Sequence, residues 1–476
     1  MINKVVIVGG GTSGWLSAAA LSHKIKGIDI TIIDKEDPDS VGVGEATLIK
    51  FDHFLSEYCG FDKNEWFVKL ESAMKSGILF PEWGTSDSLI WHPFYFPNVA
   101  EDIPLCDAWS HCQNQWQINS LLPLYDISIS NLIEMEDLGS YAYHINCKKL
   151  VDFIKEKINH KVNYVNSEVI NISRDDVGNV ELLELKNGDT ISADIFIDCT
   201  GFKSILKHKR ERTDLSDRLF CDTAVAGHVP YQNKDDELHP YVISHAVDHG
   251  WVWNIPLQTR IGSGLVFNRS ITDIETAKQY FVDYWENRID IDSLKVIDWT
   301  PYYDKNIWDG NVVSIGLSAG FIEPLESTGV ALICTGIAEL ISFLQSRFYD
   351  NHDIELYNSY MKGLFESCVD FVNMHYSSTD KNTDFWNYVK NKFKMTDLQK
   401  FYLKNMESKD PSIVDGKPGI FGGANWIYWL IQLKYPFAKK EYLDTKESKE
   451  LVDGYNYSVM STLKLNSHIN YLGEFK

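Results

Sequence analysis

The sequence predicts a mixed α/β fold with a parallel sheet near its start, mixed strands in its middle and a helical C-terminal part. The first observation is a β-branched run at residues 5–8 that ends in glycines, followed by a helical segment and a second apolar strand at 29–33. The second is a pair of buried-type strands far downstream, at 193–198 and 312–315. The third is the change to short alternating strands between them and to helical periodicity after residue 329.

The composition indicates a large folded chain. Its 476 residues are 44% hydrophobic and 13% aromatic, which suits two or three domains that share one core region or interleave. The net charge of −22 disfavours nucleic acid and anionic membranes as partners. No uninterrupted apolar segment reaches the ~18 residues that a membrane-spanning helix needs.

Cysteine usage indicates a reducing compartment. The eight cysteines are scattered, and Cys106 and Cys112 form the one close pair. Neither a CxxC motif nor a Cys/His cluster occurs, so we expect reduced thiols and no structural metal. The first ten residues lack the basic and apolar regions of a secretory signal, and we therefore expect a cytoplasmic protein.

The glycine motif after the first strand predicts a Rossmann-like nucleotide site. Gly9, Gly11 and Gly14 fit GxGxxG between a strand and a helix, with Thr12 and Ser13 in the same turn. The first glycine permits a tight turn, the second lets a pyrophosphate approach, and the third lets helix and strand pack closely. The helix N-terminus offers free N–H groups to phosphates.

Asp34 ends the second strand, where a carboxylate accepts hydrogen bonds from a ribose diol. This unit fits NAD and FAD equally. Two later strands favour FAD: one leads into Asp198, and the other leads through Gly316 and Leu317 toward a helix. Flavoproteins of the monooxygenase type return to their nucleotide in this way, so we expect an FAD-binding fold of that type.

Hydrophobic periodicity predicts the remaining elements. We expect irregular loops over residues 84–125 and strands over 162–200, with a turn at 186–189, and over 215–270. We expect helices at 15–21, 61–80, 147–158, 276–287, 329–348 and 355–374, and a mostly helical tail from about 385.

Four motifs make the chain resemble the flavin-dependent tryptophan halogenase family, from the first strand to about residue 386. They are VGVGEAT at 41–47, WxWxIP (Trp251, Trp253, Ile255 and Pro256), EPLESTG at 323–329 and a segment at 370–386. The resemblance implies an enzyme that halogenates an electron-rich aromatic ring. It implies FADH2 from a separate flavin reductase, dioxygen, and chloride, bromide or iodide, which together give hypohalous acid.

The same resemblance assigns site residues. Trp251 and Trp253, with Ile255 and Pro256, would wall the flavin chamber and keep organic substrate out. Residues two apart on a strand share a face, so two core tryptophans are the structural alternative. The resemblance also implies cofactor contacts at Val43, Glu45, Ala46, Val169, Gly316, Leu317, Gly329 and Val330.

By resemblance, Lys75 and Glu326 are the catalytic pair. Lys75 would hydrogen-bond hypohalous acid or form a haloamine, and Glu326 would orient that species or take the proton from the ring. Thr328 and Gly329 would hold the halide at a helix N-terminus. The structural alternatives are a surface lysine beside the apolar face of a helix, a carboxylate that complements a helix dipole, and ordinary N-cap hydroxyls.

The substrate residues by resemblance are His92 and Phe94 in an HxF motif, with a packed loop as the alternative. The family's C-terminal residues that clamp free tryptophan have no match here, so an indole, a phenol or a larger aromatic is at least as well supported as free tryptophan. The alternative functions are an aromatic monooxygenase and a non-catalytic flavin-binding protein. A homo-oligomer remains open.

We expect two regions: an FAD-binding halogenase module over residues 1–385, and a mostly helical region over 386–476 that covers the substrate. Segments at about 80–125 and 203–305 would supply the substrate-binding sheet of the first region.

Overall fold

The computed structural model describes residues 2–35, 45–94, 98–100, 103–104, 141–408, 419–433, 435 and 446–451. The chain divides into two compact units. Unit 1 comprises Met1–Ser72, Ile145–Leu215 and Thr300–Phe365. Unit 2 comprises Ala73–His144, Ser216–Trp299 and Glu366–Lys476. The expected boundary near residue 385 stays a prediction.

The strands of the described residues run from the first apolar segment to residue 321. They are β1 Lys4–Val8, β2 Asp29–Asp34, β3 Glu45–Ala46, β4 Ala73–Lys75, β5 Gly77–Pro81, β6 Leu89–Pro93, β7 Asn98–Ala100, β8 Ile103–Pro104, β9 Ala142–Ile145, β10 Asn163–Asn166, β11 Val169–Arg174, β12 Val180–Leu185, β13 Thr190–Ile191, β14 Ile195–Asp198, β15 Arg212–Asp214, β16 Thr223–Val229, β17 Val242–Val247, β18 Gly250–Pro256, β19 Ile261–Phe267, β20 Lys295–Asp298, β21 Tyr302–Asp304, β22 Trp308–Asp309, β23 Val312–Ser314 and β24 Gly320–Phe321.

The helices of the same residues are concentrated at the start and in the last third of the chain. They are α1 Thr12–Lys24, α2 Phe51–His53 (continued by a π-turn at Phe54–Tyr58), α3 Lys63–Lys69, α4 Cys147–Ile158, α5 Lys234–Glu237, α6 Ile274–Tyr284, α7 Thr328–Leu344, α8 Asn351–His375, α9 Asp384–Lys392, α10 Asp397–Ser408 and α11 Gly423–Gln432. Short 3₁₀ turns lie at Gly201–Lys203, Ile291–Ser293, Gly316–Ser318 and Pro324–Glu326.

A six-stranded sheet organises unit 1, in the order β10-β2-β1-β14-β23-β22. All neighbours are parallel except β22, which runs antiparallel to β23. Of the two central strands, β14 is buried along its whole length and β1 at every residue after Lys4, as expected for a parallel sheet covered on both faces. The predicted Rossmann-like sheet is therefore confirmed, and its carboxyl edge gathers the ends of β1, β2, β14 and β23.

The helix predicted over residues 61–80 is wrong beyond Lys69. Glu71 has a φ of +50°, a left-handed conformation that ends the helix, and residues 73–75 then form β4, which pairs with β9. The apolar spacing at Ala73 and Met74 fits both a helix and a strand because the segment is buried on all sides. The local sequence is compatible with either structure, and pairing with β9 determines that residues 73–75 form a strand.

A seven-stranded sheet organises unit 2, in the order β20-β16-β19-β18-β17-β5-β6. Its neighbours are antiparallel except β17 and β5. The prediction of irregular structure from residue 84 is wrong at Leu89–Pro93, because this segment forms β6 along the full length of β5. Residues 105–125 lie outside the described part of the chain.

The central strand β18 is buried at every residue, and its two faces carry different side chains. One face packs with β16 and β19 onto α6 through Val252, Leu265, Phe267 and Phe281. Trp251 and Trp253 share the other face, with ring centroids 6.2 Å apart. Gly264 on β19 lies directly opposite Trp253, so the indole covers the space of a missing side chain.

The other predicted elements are confirmed with shifts of a few residues at their ends. Helices α4, α6, α7 and α8 and the strands β10–β14 and β16–β19 occur where expected. Helices α9, α10 and α11 confirm a helical tail in the part of it that is described. Within the described residues, no helix is both long and apolar enough to span a bilayer.

Replacing Gly264 by alanine tests the packing under Trp253. A Cβ at Gly264 would lie 2.2 Å from Cη2 of Trp253. We expect G264A to lower the free energy of unfolding by about 1–3 kcal/mol, because the ring must shift within a packed core. Chemical denaturation measures this change. The control is G363A in α8, where a Cβ meets no described atom within 4 Å; it should leave stability unchanged or raise it. Equal free energies of unfolding for G264A and G363A would contradict the close packing of Trp253 on Gly264.

Candidate active site

The first glycine turn in unit 1 has the close contacts that a nucleotide-binding turn requires. Gly9 has a φ of +108°, and a Cβ there would lie 2.3 Å from the Cys199 carbonyl oxygen. A Cβ at Gly14 would lie 1.9 Å from the Gly9 carbonyl oxygen, so α1 packs tightly on the turn. At Gly11 a Cβ would meet no described atom within 4 Å. Open space at this glycine fits the approach of a pyrophosphate.

Asp34 lies beside this turn at the end of β2. Its Oδ1 accepts a hydrogen bond from Gly10 N at 3.0 Å, so the carboxylate also fixes the backbone of the loop. Helix α1 carries no acidic residue in its first turn, and Gly11 provides no capping side chain. Thr12 and Ser13 are the first residues of α1. The N–H groups of its first turn are not neutralised by an acidic side chain of that turn and are suited to an anion. These features fit the phosphates and ribose of FAD.

Asp198, at the end of β14, is fully buried and saturated with hydrogen bonds. Its Oδ1 accepts from Thr200 N, Thr200 Oγ1 and Ser318 Oγ at 3.0, 2.6 and 3.0 Å, and its Oδ2 accepts from Leu206 N at 2.8 Å. The carboxylate thus joins the turn after β14 to the 3₁₀ turn Gly316–Ser318. Gly316 enters that turn with a φ of +70°. A contact of Asp198 with the cofactor stays a prediction.

Two thiols near the glycine turn are held in their neutral form. Burial raises the pKa of Cys199 to about 12, although hydrogen bonds with Ser13 and Ser17 oppose the shift. Burial also raises the pKa of Cys147 well above its ordinary value, and the Glu45 carboxylate adds to this effect. Glu45 in turn accepts from Cys147 N at 3.3 Å. Neutral thiols are poor nucleophiles, so these side chains resist electrophilic oxidants.

The segment that precedes α7 buries a carboxylate and an unpaired hydroxyl. Glu326 ends the 3₁₀ turn Pro324–Glu326 with none of its surface exposed. Ser327 follows with a φ of +58° and makes no side-chain capping bond to α7. Thr328 Oγ1 is buried and has no hydrogen-bond partner among the described residues. A Cβ at Gly329 would meet no described atom within 4 Å, so the helix begins beside open space.

Lys75 in unit 2 is fully buried at the end of β4. Its Nζ lies 5.0 Å from the centre of the Phe94 ring. Lysine is almost never fully buried in proteins, because removing an ammonium from water is costly. The surface-lysine alternative is therefore wrong, and so is the helical setting on which it depended.

The WxWxIP motif occupies β18. Trp251 is fully buried, and its indole Nε1 has no partner among the described residues. The Pro256 carbonyl at the strand end accepts a hydrogen bond from His144 Nδ1 at 2.8 Å. His144 on β9 pairs with Ala73, the first residue of β4. The motif strand is thereby connected to the strand pair that carries Lys75, within unit 2.

His92 lies near the end of β6 and Phe94 directly follows the strand, and both are buried. The His92 ring lies 5.3 Å from the ring of Phe371 and 6.1 Å from that of Phe421, and its Nε2 contacts Asn425 Nδ2 at 2.9 Å. The surroundings are aromatic on two sides. A packed region and an aromatic binding site are both consistent with these contacts, so the substrate role stays a prediction.

The remaining predicted contacts are distributed over unit 1. Ala46 is buried in β3, Val169 is partly buried in β11, and Val330 is buried in the first turn of α7. Leu317 exposes 40% of its surface, and its carbonyl accepts from Tyr302 Oη at 2.5 Å. Val43 lies outside the described residues. Cofactor contacts at all these positions stay predictions.

Sequence reasoning missed two polar residues of these sites. Ser318 binds the Asp198 carboxylate, and Asn425 binds the His92 ring. Both partners are more than a hundred residues away in the chain. The position of Ser318 two residues after Gly316, in a turn expected to approach the nucleotide, could have indicated Ser318. Asn425 stands in an aromatic run that offers no comparable signal.

Comparison with known proteins gives a consistent result. The family model described as tryptophan halogenase matches residues 4–447. The tryptophan 7-halogenase RebH of Lentzea aerocolonigenes is 29% identical over 416 residues, covering 81% of this chain and 78% of the relative. The tryptophan 6-halogenase ThaL of Streptomyces albogriseolus is 28% identical over 415 residues, with 81% and 78% covered.

Solved structures agree over the whole chain. Xcc4156, a flavin-dependent halogenase from Xanthomonas campestris, superposes with a TM-score of 0.88 at 26% identity, covering 100% of this chain and 98% of that one. A tryptophan halogenase from Shewanella frigidimarina superposes with a TM-score of 0.86 at 24% identity, with 100% and 97% covered, which supports the fold. The predicted flavoprotein fold class is confirmed by these neighbours.

Asp198→Asn tests the network that joins the two turns of unit 1. An asparagine amide would face either Leu206 N or the Thr200 and Ser318 donors, so at least one buried donor would lose its acceptor. We expect the free energy of unfolding to fall by about 1–3 kcal/mol. We also expect weaker retention of FAD. Thermal unfolding and flavin fluorescence titration measure the two effects. The control is Asp176→Asn at an exposed turn, and equal behaviour of both variants would refute the role of the network.

Proposed function

Because the chain belongs to the tryptophan halogenase family, we propose that its buried Lys75 delivers the halogen of hypohalous acid to an indole- or phenol-type ring. Enzymes of this family are FAD-dependent and use FADH2 and a halide to make hypohalous acid, which halogenates aromatic substrates. They need a separate flavin reductase. The residue roles and the substrate class below are the proposal.

The complete burial of Lys75 carries the proposal. A buried lysine adds nothing to the solubility of the protein, and the free-energy cost of its desolvation must be offset by specific interactions. Such a residue is therefore expected to have a function. Its Nζ faces the ring of Phe94, so an aromatic side chain forms part of its surroundings. An amine placed there can donate a hydrogen bond to hypohalous acid or accept the halogen. It would thereby hold the electrophile at one position relative to a bound ring.

The residues of unit 1 fit FAD. The open space at Gly11, the uncapped start of α1 and the Asp34 carboxylate match pyrophosphate and ribose. When bound in its reduced form, FAD supplies with dioxygen the oxidising equivalents that convert halide to hypohalous acid. The neutral Cys147 and Cys199 thiols next to this turn would not consume that oxidant.

The start of α7 would hold the halide. The buried hydroxyl of Thr328 is a donor in need of an acceptor, and Gly329 leaves room for one. The helix N-terminus adds free N–H groups and positive partial charge, which suit an anion. Glu326, two residues earlier and fully buried, would orient the hypohalous acid or accept the proton that the substituted ring loses.

Trp251 and Trp253 would keep the organic substrate out of the flavin chamber. Both are rigid, buried and held on one face of a central strand. His92 and Phe94 would contact the substrate ring, since an aromatic ligand stacks well on aromatic side chains. Free tryptophan is less favoured than a plain indole or phenol, because the family's C-terminal amino-acid clamp has no match in this sequence.

A substrate panel tests the proposed function. Indoles and phenols are incubated with the protein, FAD, a flavin reductase and NADH, with chloride, bromide or iodide, and the products are weighed by mass spectrometry. We expect a halogen isotope pattern on an indole or phenol. Addition of oxygen alone would indicate an aromatic monooxygenase instead, and an unchanged panel with full flavin oxidation would contradict the proposed substrate class.

Lys75→Met should lower the rate of halogenation about 100-fold while FAD binding and oxygen consumption continue. Methionine keeps the apolar stem and removes the amine, and general acid–base groups typically contribute 100-fold or more, so we expect a loss of about that size. The matched control is Lys69→Ala, which removes an exposed lysine that pairs with Glu156. Substantial halogenation by Lys75→Met would show that another group delivers the halogen.

Thr328→Val should raise the KM for halide with little effect on FAD binding. The valine keeps the shape and removes one hydrogen-bond donor, which corresponds to about a threefold to tenfold loss of affinity. Bromide titrations of the halogenation rate measure this effect. Thr335→Val, two turns further along α7, is the control. An unchanged KM in Thr328→Val would remove Thr328 from the halide site.

A further inference from the structure

The Gln432 side chain joins helix α11 to the edge strand β6. The Gln432 amide accepts from Trp91 N through Oε1 at 2.7 Å and donates to Trp91 O through Nε2 at 2.7 Å. The same Nε2 also donates to Tyr428 O at 2.8 Å. A primary amide that pairs with both backbone groups of one residue substitutes for a neighbouring strand at that point. The helix is therefore held at a defined position beside the residue that precedes His92.

Asn425 lies seven residues before Gln432 on the same helix, and two turns place the two side chains on one face. Its Oδ1 accepts a hydrogen bond from Gly422 N at 2.9 Å, which fixes the orientation of the amide. The Nδ2 group therefore faces His92 and lies 2.9 Å from its Nε2. An amide nitrogen carries two protons and no available lone pair, so Nδ2 donates and Nε2 accepts.

A histidine nitrogen that accepts a hydrogen bond carries no proton. The Asn425 contact thus selects the neutral ring with its proton on Nδ1. His92 is 1% exposed, and its ring lies against the aromatic rings of Phe371 and Phe421. Bulk water therefore has little access to compete for Nε2. Phe94, two residues further on, lies 5.0 Å from Lys75 Nζ, which places this histidine in the neighbourhood of the proposed delivery amine.

We propose that Asn425 is a positioning residue that locks His92 as the Nδ1–H tautomer and withholds its Nε2 lone pair from the oxidant. The inference rests on the proposed function, since it concerns a histidine of the proposed substrate site. An unprotected imidazole consumes hypohalous acid. Its nitrogen attacks the halogen, an N–halogen bond forms as the O–halogen bond breaks, and the hydroxide takes up the ring proton to leave water. With Nε2 engaged and Nδ1 protonated, neither nitrogen offers a free lone pair.

Nitrogen NMR tests the tautomer independently of any activity. The folded wild-type protein is labelled at the histidine ring nitrogens, and His92 is identified from the signals lost in His92→Gln. We expect a protonated Nδ1 and an unprotonated, hydrogen-bonded Nε2. In Asn425→Asp the carboxylate can only accept, so we expect the proton to appear on Nε2. A proton on Nε2 of the wild-type protein would overturn the inference, whatever the outcome of the halogenation assays.

Turnover tests the protective role. Asn425→Leu removes the donor that engages Nε2, so we expect halogen on the His92 peptide and several-fold fewer turnovers before inactivation than in the wild type. Product formed before the rate falls to zero gives the number of turnovers, and peptide mass spectrometry after defined numbers of turnovers measures halogenation of the His92 peptide. The control is Asn405→Leu, because the Asn405 amide donates to Phe401 O within its own helix α10. An Asn425→Leu enzyme with wild-type endurance and an unmodified His92 would refute protection. A wild-type protein that halogenates nothing would refute the proposed function and leave the tautomer standing.

Discussion

The desolvation of charged and polar groups is the constraint on which this structure depends. Lys75 and Glu326 are both fully buried, each in a different unit, and each lies in a short element that the local sequence does not favour strongly. Burying a charge costs far more than a strand of three residues or a single 3₁₀ turn can offset. The buried apolar residues of each unit must therefore provide the remaining stability.

Complementary small residues fix the positions of the two β18 indoles. Trp253 lies over Gly264 and next to Ser244 in the neighbouring strands, and Trp251 lies next to Ala246. The indoles are thus packed into gaps in a sheet rather than exposed on it. Rotation of these rings would require the backbone of β19 or β17 to move.

Saturation of hydrogen bonds separates structural polar groups from those available for chemistry. Asp198 has four donors within the protein and has little capacity left for a ligand. Thr328, by contrast, has a buried hydroxyl with no described partner, at the start of a helix and beside open space. Among the described residues this hydroxyl meets no acceptor, so a bound anion would satisfy it. The same criterion identifies Asn425 as a group whose donor is committed to His92.

The sequence by itself determined the features that depend on neighbouring residues. The spacing of Gly9, Gly11 and Gly14 follows from turn geometry, and the buried runs of β1 and β14 follow from a parallel sheet covered on both faces. The WxWxIP motif likewise places two indoles on one face, because strand side chains alternate. Such rules act over a few residues, so they could be applied without a structure.

Tertiary structure alone decided the rest. Lys75 could belong to a helix or a strand until β9 supplied its pairing partner, because a segment buried on every side carries no periodicity that distinguishes the two. Asn425 and His92 are 333 residues apart in the chain, and Ser318 and Asp198 are 120 apart. Hydrogen bonds at such separations form only after the sheets and helices have packed together. A single sequence therefore contains no local pattern that predicts them.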